Sequence, residues 1–273
     1  MGGEKGLEKI TEAELLFFDT ETTGTDPETA RIVELGAVVL RAGQVADKLH
    51  TYVNPGIPIP PETTAVHGID DAKVSGAPSF GELADRIDDR FSAFAVVGGY
   101  NAVSYDAPLL NAEWKRAGVD DFRVEPRLVL DPVIFARWHL RAERDRKLGS
   151  MCAHPWFKVE LQNAHTAVAD ATAAALLLLA MVRAGLVPDD VDEALALQAR
   201  HAAVQAEESE RWSYWLYRDR QDPDTLRLGC GKHCGVKLAD VDGGFLRYAL
   251  RLADLHAGAR EAMQGELNRR WAV

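Results

Sequence analysis

The chain has 273 residues, with 31 Lys+Arg against 42 Asp+Glu and a formal net charge of −11. Its 47% hydrophobic and 27% charged residues are globular composition, which excludes wholesale disorder. An acidic chain of this kind does not coat nucleic acid by bulk charge, although a local acidic site can still grip it through metal ions.

Three cysteines, Cys152, Cys230 and Cys234, are too few to staple this length and read as reduced thiols of a cytoplasmic protein. The opening MGGEKGLEKI has no apolar leader, and Gly6 stands where a myristoylation signal has Ser or Thr. The longest apolar run, 171–182, is too short for a bilayer, which needs ~20 residues, so no membrane is expected.

Residues 14–20 (ELLFFDT) form an apolar run suited to a buried strand, and 32–40 (IVELGAVVL) form a second. Residues 41–44 read as a turn and 48–53 alternate like a third strand, so an antiparallel meander is predicted. Residues 54–61 hold four prolines, which predicts irregular chain. Phe80, Leu83, Ile87 and Phe91 then recur at helical spacing over 79–94. A short strand at 94–98, a helix at 105–117, a strand at 128–130 and a helix at 132–140 follow. Residues 164–184, full of Ala and Leu, give the strongest helix signal.

This order predicts an α/β fold with a mixed sheet. The stretch GLVPDD at 185–190 can end one helix and cap the next. It divides the chain into 1–186 and 187–273. Residues 186–273 carry 12 Lys+Arg against 15 Asp+Glu, so neither part is basic.

Three local features carry chemistry. Asp19 and Glu21 flank Thr20 at the end of the first strand, where alternation puts both carboxylates on one face. They repel unless a cation sits between them, and Mg²⁺ takes oxygen ligands; a solvated strand end is the plainer alternative. Asp106 closes the run Asn101-Ala-Val-Ser-Tyr-Asp106 and opens a helix, where a carboxylate also serves as a cap. His165 and Asp170 stand five apart at the start of the Ala/Leu helix, where a lone His is also a cap or a core residue.

Together, DxE, a later Asp and HxxxxD resemble the signature of the DEDDh 3′–5′ exonucleases, which are DnaQ-like. FFDTETTG, RIVELGAVVL, TTAVHGIDDAKVSGAPSF, GGYNAVSYDAPLL, LDPVIFAR, KLGSMC and AHTAVADATAAALL are each similar to segments of that family. The resemblance covers roughly 13–184. One departure is the five-residue step from Asn101 to Asp106, where many relatives have four.

The resemblance implies a ribonuclease H-like mixed sheet flanked by helices. It implies two divalent ions, Mg²⁺ or Mn²⁺, held by Asp19, Glu21, Asp106 and Asp170, with His165 as the general base. It also places Thr22, the backbone through Gly24, His67 and Asn101 at the terminal nucleotide. Attack from the 3′ end, with release of nucleoside monophosphates, is taken from the resemblance alone. The implied partner is nucleic acid, single-stranded 3′ ends above all, with DNA ahead of RNA. A second copy of the chain or a polymerase are the protein partners left open. Repair or proofreading is the implied role. RNA end trimming, or a non-catalytic binding module, are the competing readings.

Residues 225–250 are similar to a small module that follows the nuclease domain in exonuclease X-like proteins, so 187–273 is expected to be a mainly helical accessory module. Gly231, Lys232, His233 and Gly235 match it, while Cys230 and Cys234 depart from it. Cys230, His233 and Cys234 lack an evident fourth ligand, so a Gly-rich turn is preferred to a zinc site. Trp212, Tyr214, Trp215 and Tyr217 alternate with arginines in 211–220. At helical spacing they read as a docking face, and beside arginine they could stack on bases. The basic stretch 137–147 reads either as a phosphate contact or as a solvated helix face.

Overall fold

The computed structural model describes residues 9–119, 123–143, 145–161 and 164–271. The opening Met-Gly and Arg144 of the basic stretch lie outside the described residues. The chain forms two compact units: 1–136 with 147–199, and 137–146 with 200–273.

In the first unit, β1 (Glu14–Thr22), β2 (Ile32–Arg41) and β3 (Gln44–Tyr52) form the expected antiparallel meander. Ala42 and Gly43 turn the β2–β3 hairpin with both φ values positive, at 48° and 72°, which suits the right-handed twist of the strands. The proline-rich segment is not irregular to its end. Pro61 opens helix α1 (Pro61–His67), because the first helical position needs no N–H. A single turn, α2 (Asp71–Val74), follows.

Helix α3 (Phe80–Ser92) starts at a capping box between Ser79 and Glu82. It buries the predicted Phe80, Leu83, Ile87 and Phe91. After it come β4 (Val97–Gly98), α4 (Asp106–Arg116), β5 (Val129–Leu130), α5 (Pro132–His139), α6 (Leu148–Ala153) and α7 (Ala167–Arg183). The five-stranded sheet runs β3-β2-β1-β4-β5, with β4 parallel to β1 and β5 parallel to β4. It is a ribonuclease H-like mixed sheet. The apolar side chains of α3 and α4 pack with Leu16, Phe18, Leu35 and Ala37 on one sheet face, while α7 lies against β1 and β2. No helix among the described residues is long and apolar enough to cross a membrane.

Helix α8 (Val191–Trp212) starts where Asp190 accepts the Glu193 amide. It begins beyond the boundary expected at 186/187. Within the first unit Gln198 holds the Val129 carbonyl and the Asp131 amide. The compact unit therefore ends at 199.

The second unit contains the hairpin β6 (Leu216–Arg218) and β7 (Leu226–Leu228) with helices α9 (Gly243–Ala249) and α10 (Ala257–Trp271). Trp212, Trp215, Leu246 and Met263 are among its buried core. Residues 137–146 belong to this unit. Trp138 stacks on His201 at 4.0 Å, and Arg141 pairs with Glu208 at 2.5 Å. Of the stretch, 137–139 end α5 with Arg137 and His139 exposed, while Trp138 and Arg141 are packed.

The aromatic run is not helical either. Helix α8 stops at Trp212, Ser213 turns with φ 55°, and β6 follows. Trp212, Trp215 and Tyr217 are buried, and Tyr214 is exposed. Charge is also divided unevenly. The second unit has 16 Lys+Arg against 13 Asp+Glu, a net of +3, which leaves 15 against 29 and a net of −14 for the first. The linear division hid this, because it grouped Asp189, Asp190, Asp192 and Glu193 with the basic C-terminal residues.

Candidate active site

Across β1 and β2, Asp19 is opposite Gly36 and Glu21 is opposite Glu34. Alternation puts these four on one face. Helix α7 begins on that face. A Cβ at Gly36 would lie 2.3 Å from the Ala167 carbonyl carbon and from the Val168 nitrogen, so only glycine permits this approach. Asp170, in the first turn of α7, thereby joins Asp19 and Glu21, and their ligand oxygens all lie within 4.8 Å of one another. Among the described residues no other group of three His, Cys, Asp or Glu side chains is placed to share an ion.

Asp106 stands beside this cluster and is not one of its three members. It is buried, and its Oδ1 accepts hydrogen bonds from the Thr20 amide at 3.1 Å and the Thr20 hydroxyl at 2.6 Å. Thr20 is the residue between the two strand carboxylates, so Asp106 meets β1 from the α4 side. It is still the largest electrostatic influence on Asp19 after burial itself.

His165 is exposed and adopts φ 67°, and its backbone N–H donates to Asp170 Oδ2 at 3.2 Å. The left-handed turn therefore ties the histidine to the aspartate five residues on. The first amide of α7 has no side-chain cap from Thr166. Instead the Ala167 N–H donates to Glu34 Oε2 at 3.2 Å. Glu34 is buried, and its Oε1 meets His50 Nε2 at 2.6 Å.

The carbonyl of Thr22 and the hydroxyls near it bring Gly24 and His67 together. Thr22 Oγ1 lies 2.8 Å from the Gly24 carbonyl oxygen and 2.7 Å from the Tyr105 hydroxyl. The Tyr105 hydroxyl also donates to the Gly24 carbonyl. His67 Nδ1 accepts the Ile69 amide at 3.0 Å, so its proton is on Nε2, which donates to the Thr22 carbonyl at 3.3 Å. Burial holds the His67 pKa below its ordinary value, in keeping with a neutral ring.

Asn101 has φ 63°, and its amide donates to Asp131 Oδ1 at 2.8 Å. Asp131 also accepts the Val133 and Val103 amides, at 3.1 and 3.2 Å. One buried carboxylate thus organises the long turn from Asn101 to Asp106 and starts α5. Both Glu34 and Asp131 were missed in the sequence. Their signals were a lone acid inside the apolar run IVELGAVVL and an Asp directly before Pro132.

Burial raises the pKa of Asp19 well above the carboxylate range, with Asp106, Asp170, Glu21 and Glu34 adding repulsion. Glu21 is pushed up to about 8 by burial and by Asp170, Glu34 and Asp106. Asp106 is raised to about 7, mainly by burial, against the hydrogen bonds from Thr20. Asp170 is raised by burial, partly offset by the His165 amide. A cation would remove the repulsion these groups share. Carboxylate oxygens are the donors that hard divalent ions take, so the donor set fits such an ion.

A sequence model described as exonuclease matches residues 16–178. The chain is 33% identical over 175 residues to a PolC-type DNA polymerase III of Caldanaerobacter subterraneus subsp. tengcongensis, covering 64% of this chain and 12% of that one. It is 33% identical over 189 residues to a DNA polymerase III subunit epsilon-like protein of Rhodobacter capsulatus, covering 67% of this chain and 26% of that one. The chain therefore spans only a small part of these relatives' lengths.

Exonuclease X, solved in complex with 5′ overhanging duplex DNA, shares the fold with TM-score 0.53 at 20% identity, over 67% of this chain and 99% of that one. Exonuclease I does so with TM-score 0.56 at 18% identity, over 89% of this chain and 60% of that one. The sequence match spans more than half of the chain and includes the carboxylate cluster, and the protein belongs to the exonuclease family.

Proposed function

We propose that the protein is a metal-dependent 3′–5′ exonuclease that removes nucleoside monophosphates from DNA, in repair or proofreading in the cytoplasm. The observation that carries this reading is the Asp19, Glu21 and Asp170 cluster, tied through Asp170 to His165, in a chain of the exonuclease family. The DNA oligonucleotides in solved complexes of exonucleases X and I support DNA as the substrate class. The PolC-type relatives support a polymerase context.

In this reading Asp19, Glu21 and Asp170, with Asp106 beside them, would hold two divalent ions, Mg²⁺ or Mn²⁺. Such ions supply Lewis-acid stabilisation of charge on the scissile phosphate. His165 takes the proton of the attacking water, a task suited to an imidazole near neutral pH. The new bond joins water oxygen to phosphorus, the bond to the 3′-oxygen breaks, and that oxygen leaves with a proton. Thr22, Gly24, His67 and Asn101 receive the terminal nucleotide. His67 is already locked in one tautomer, so its orientation costs little on binding. The second unit acts as the accessory module.

An end-labelled oligonucleotide digest tests this reading. The same sequence is offered as single-stranded DNA, duplex DNA and RNA, with Mg²⁺ or Mn²⁺, to wild type and Asp19→Ala. The expected result is a metal-dependent ladder shortening from the 3′ end and absent in the variant. No cleavage of any polymer in either metal overturns it.

A further inference from the structure

The second unit contains a cleft of about 770 Å³ whose lining includes Glu143, Arg146, Tyr214, Cys230, Lys232 and Cys234. That volume lies within the ~300–1,000 Å³ range of ligand pockets.

Tyr214 is 58% exposed, while its neighbours Trp212, Trp215 and Tyr217 are buried. Its backbone is nevertheless fixed. Ser213 precedes it in a left-handed turn, and Gly229 packs so closely that a Cβ there would lie 2.3 Å from the Tyr214 carbonyl oxygen. The ring also stacks on Trp215, with centroids 5.2 Å apart. A rigid exposed aromatic loses little freedom when something stacks on it.

The walls carry more positive than negative charge. Arg146 is held in place by donating to the Glu143 carbonyl at 2.9 Å. Lys232 is exposed at the tip of the 3₁₀ turn Gly231–His233. Burial pushes both thiols up, so Cys230 and Cys234 stay uncharged at neutral pH. The unit as a whole is net positive, at 16 Lys+Arg against 13 Asp+Glu, in a chain of net −11.

We infer that this cleft is a binding site for a nucleic-acid single strand, with Tyr214 stacking on a base and Lys232 and Arg146 facing phosphates. Exposed aromatics beside basic side chains hold single strands in this way, at ~1–3 kcal/mol per stacked base. The inference rests on the proposed exonuclease reading and adds a second place on the chain where the strand is gripped. It gives the accessory unit a task that the carboxylate cluster does not perform.

The test uses the full chain. Binding of a fluorescein-labelled oligo-dT is followed by anisotropy in the Asp19→Ala background, so that the strand survives, for Tyr214→Ala, Lys232→Glu and neither. A strand carrying 5-iodo-deoxyuridine is photocrosslinked to protein with Tyr214 intact, and the site is mapped by mass spectrometry. In parallel, hydrolysis of a thymidine 5′-monophosphate aryl ester is measured in the otherwise wild-type background, because so short a substrate engages only the carboxylate site.

The expected result is roughly tenfold weaker oligo-dT binding for each variant, a crosslink at Tyr214, and unchanged ester hydrolysis. Oligo-dT affinity equal to the parent in both folded variants, or crosslinks elsewhere without Tyr214, overturns the inference while leaving the exonuclease reading standing. Absence of hydrolysis of both ester and polymer in wild type instead defeats the exonuclease reading. Should Tyr214→Ala lose its fold by circular dichroism, Lys232→Glu and the crosslink decide.

Discussion

Glu34 joins two layers of the nuclease unit. One carboxylate oxygen accepts the Ala167 amide at 3.2 Å and the other meets His50 at 2.6 Å. The first turn of α7, which carries Asp170, is thus pinned to β2 by a residue outside the metal-ligand set. Glu34→Ala is expected to lower turnover ~10–100-fold, the usual cost of losing a group that orients ligands. KM for the strand should stay within about twofold and the Mg²⁺ concentration for half-activity should rise. Glu34→Gln keeps an acceptor for the Ala167 amide and should recover most of the loss. Steady-state kinetics across a Mg²⁺ titration check this; equal damage by Ala and Gln would assign the effect to charge and not to position.

The clustered carboxylates also predict a pH dependence. In the metal-free fold Glu21 titrates at about 8 against an ordinary 4.5, and Asp19, Asp106 and Asp170 are raised as well. Between those pH values the folded chain binds more protons than the unfolded chain, so unfolding free energy falls as pH rises. The melting temperature of chelated protein should therefore decline from about pH 5 to about pH 8, and divalent metal should reverse the decline. Metal binding should release protons over the same window, seen by calorimetry in buffers of different ionisation enthalpy. A chelated melting temperature that rises through the window would contradict the placement of these groups.

Gly36→Ala tests the close approach of α7. The new methyl would press on the backbone of Ala167 and Val168, at 2.3 Å, and no flexible side chain is there to yield. Overpacking of this kind costs ~1–3 kcal/mol. Turnover should fall further than the stability loss explains, because the helix that moves carries Asp170. Thermal melts and kcat measured well below the melting temperature separate the two effects. Unaltered turnover would mean that α7 relaxes without displacing its aspartate.

In the second unit, Glu208 is the only acid paired with both Arg141 and Arg220 among the described ion pairs, at 2.5 and 2.9 Å. It also accepts the Arg218 amide at 3.0 Å. Arg220 lies over the Trp138 ring at 3.7 Å, and Arg141 lies over Tyr217 at 4.7 Å. Glu208→Ala leaves two partly buried guanidinium groups without their counter-charge, at a cost of ~3–5 kcal/mol. Urea unfolding followed by tryptophan fluorescence should show a lowered midpoint. A loss below about 1 kcal/mol would mean that both guanidinium groups reach water once Glu208 is gone.

Much of the nuclease unit was legible because its signals are local. Alternation along one strand put Asp19 and Glu21 on a common face, and the Ala/Leu run marked α7. Glu34 was hidden because its partners lie far along the chain, at Ala167 and His50. Trp212 and Trp215 are three apart in a run without Gly or Pro, so nothing local announced the turn at Ser213. The separation of 137–146 from its flanks depends on packing against residues beyond 199, and no composition shift records it.

That discontinuity bears on how the protein is made. Arg141 leaves the ribosome roughly 65 residues ahead of Glu208, which is about 3–13 s at ~5–20 residues per second. Trp138 likewise waits for His201 and Arg220. During synthesis the nuclease sheet can close first, with a short basic and aromatic segment left exposed on the nascent chain. The second unit can complete itself only after α10 has been translated.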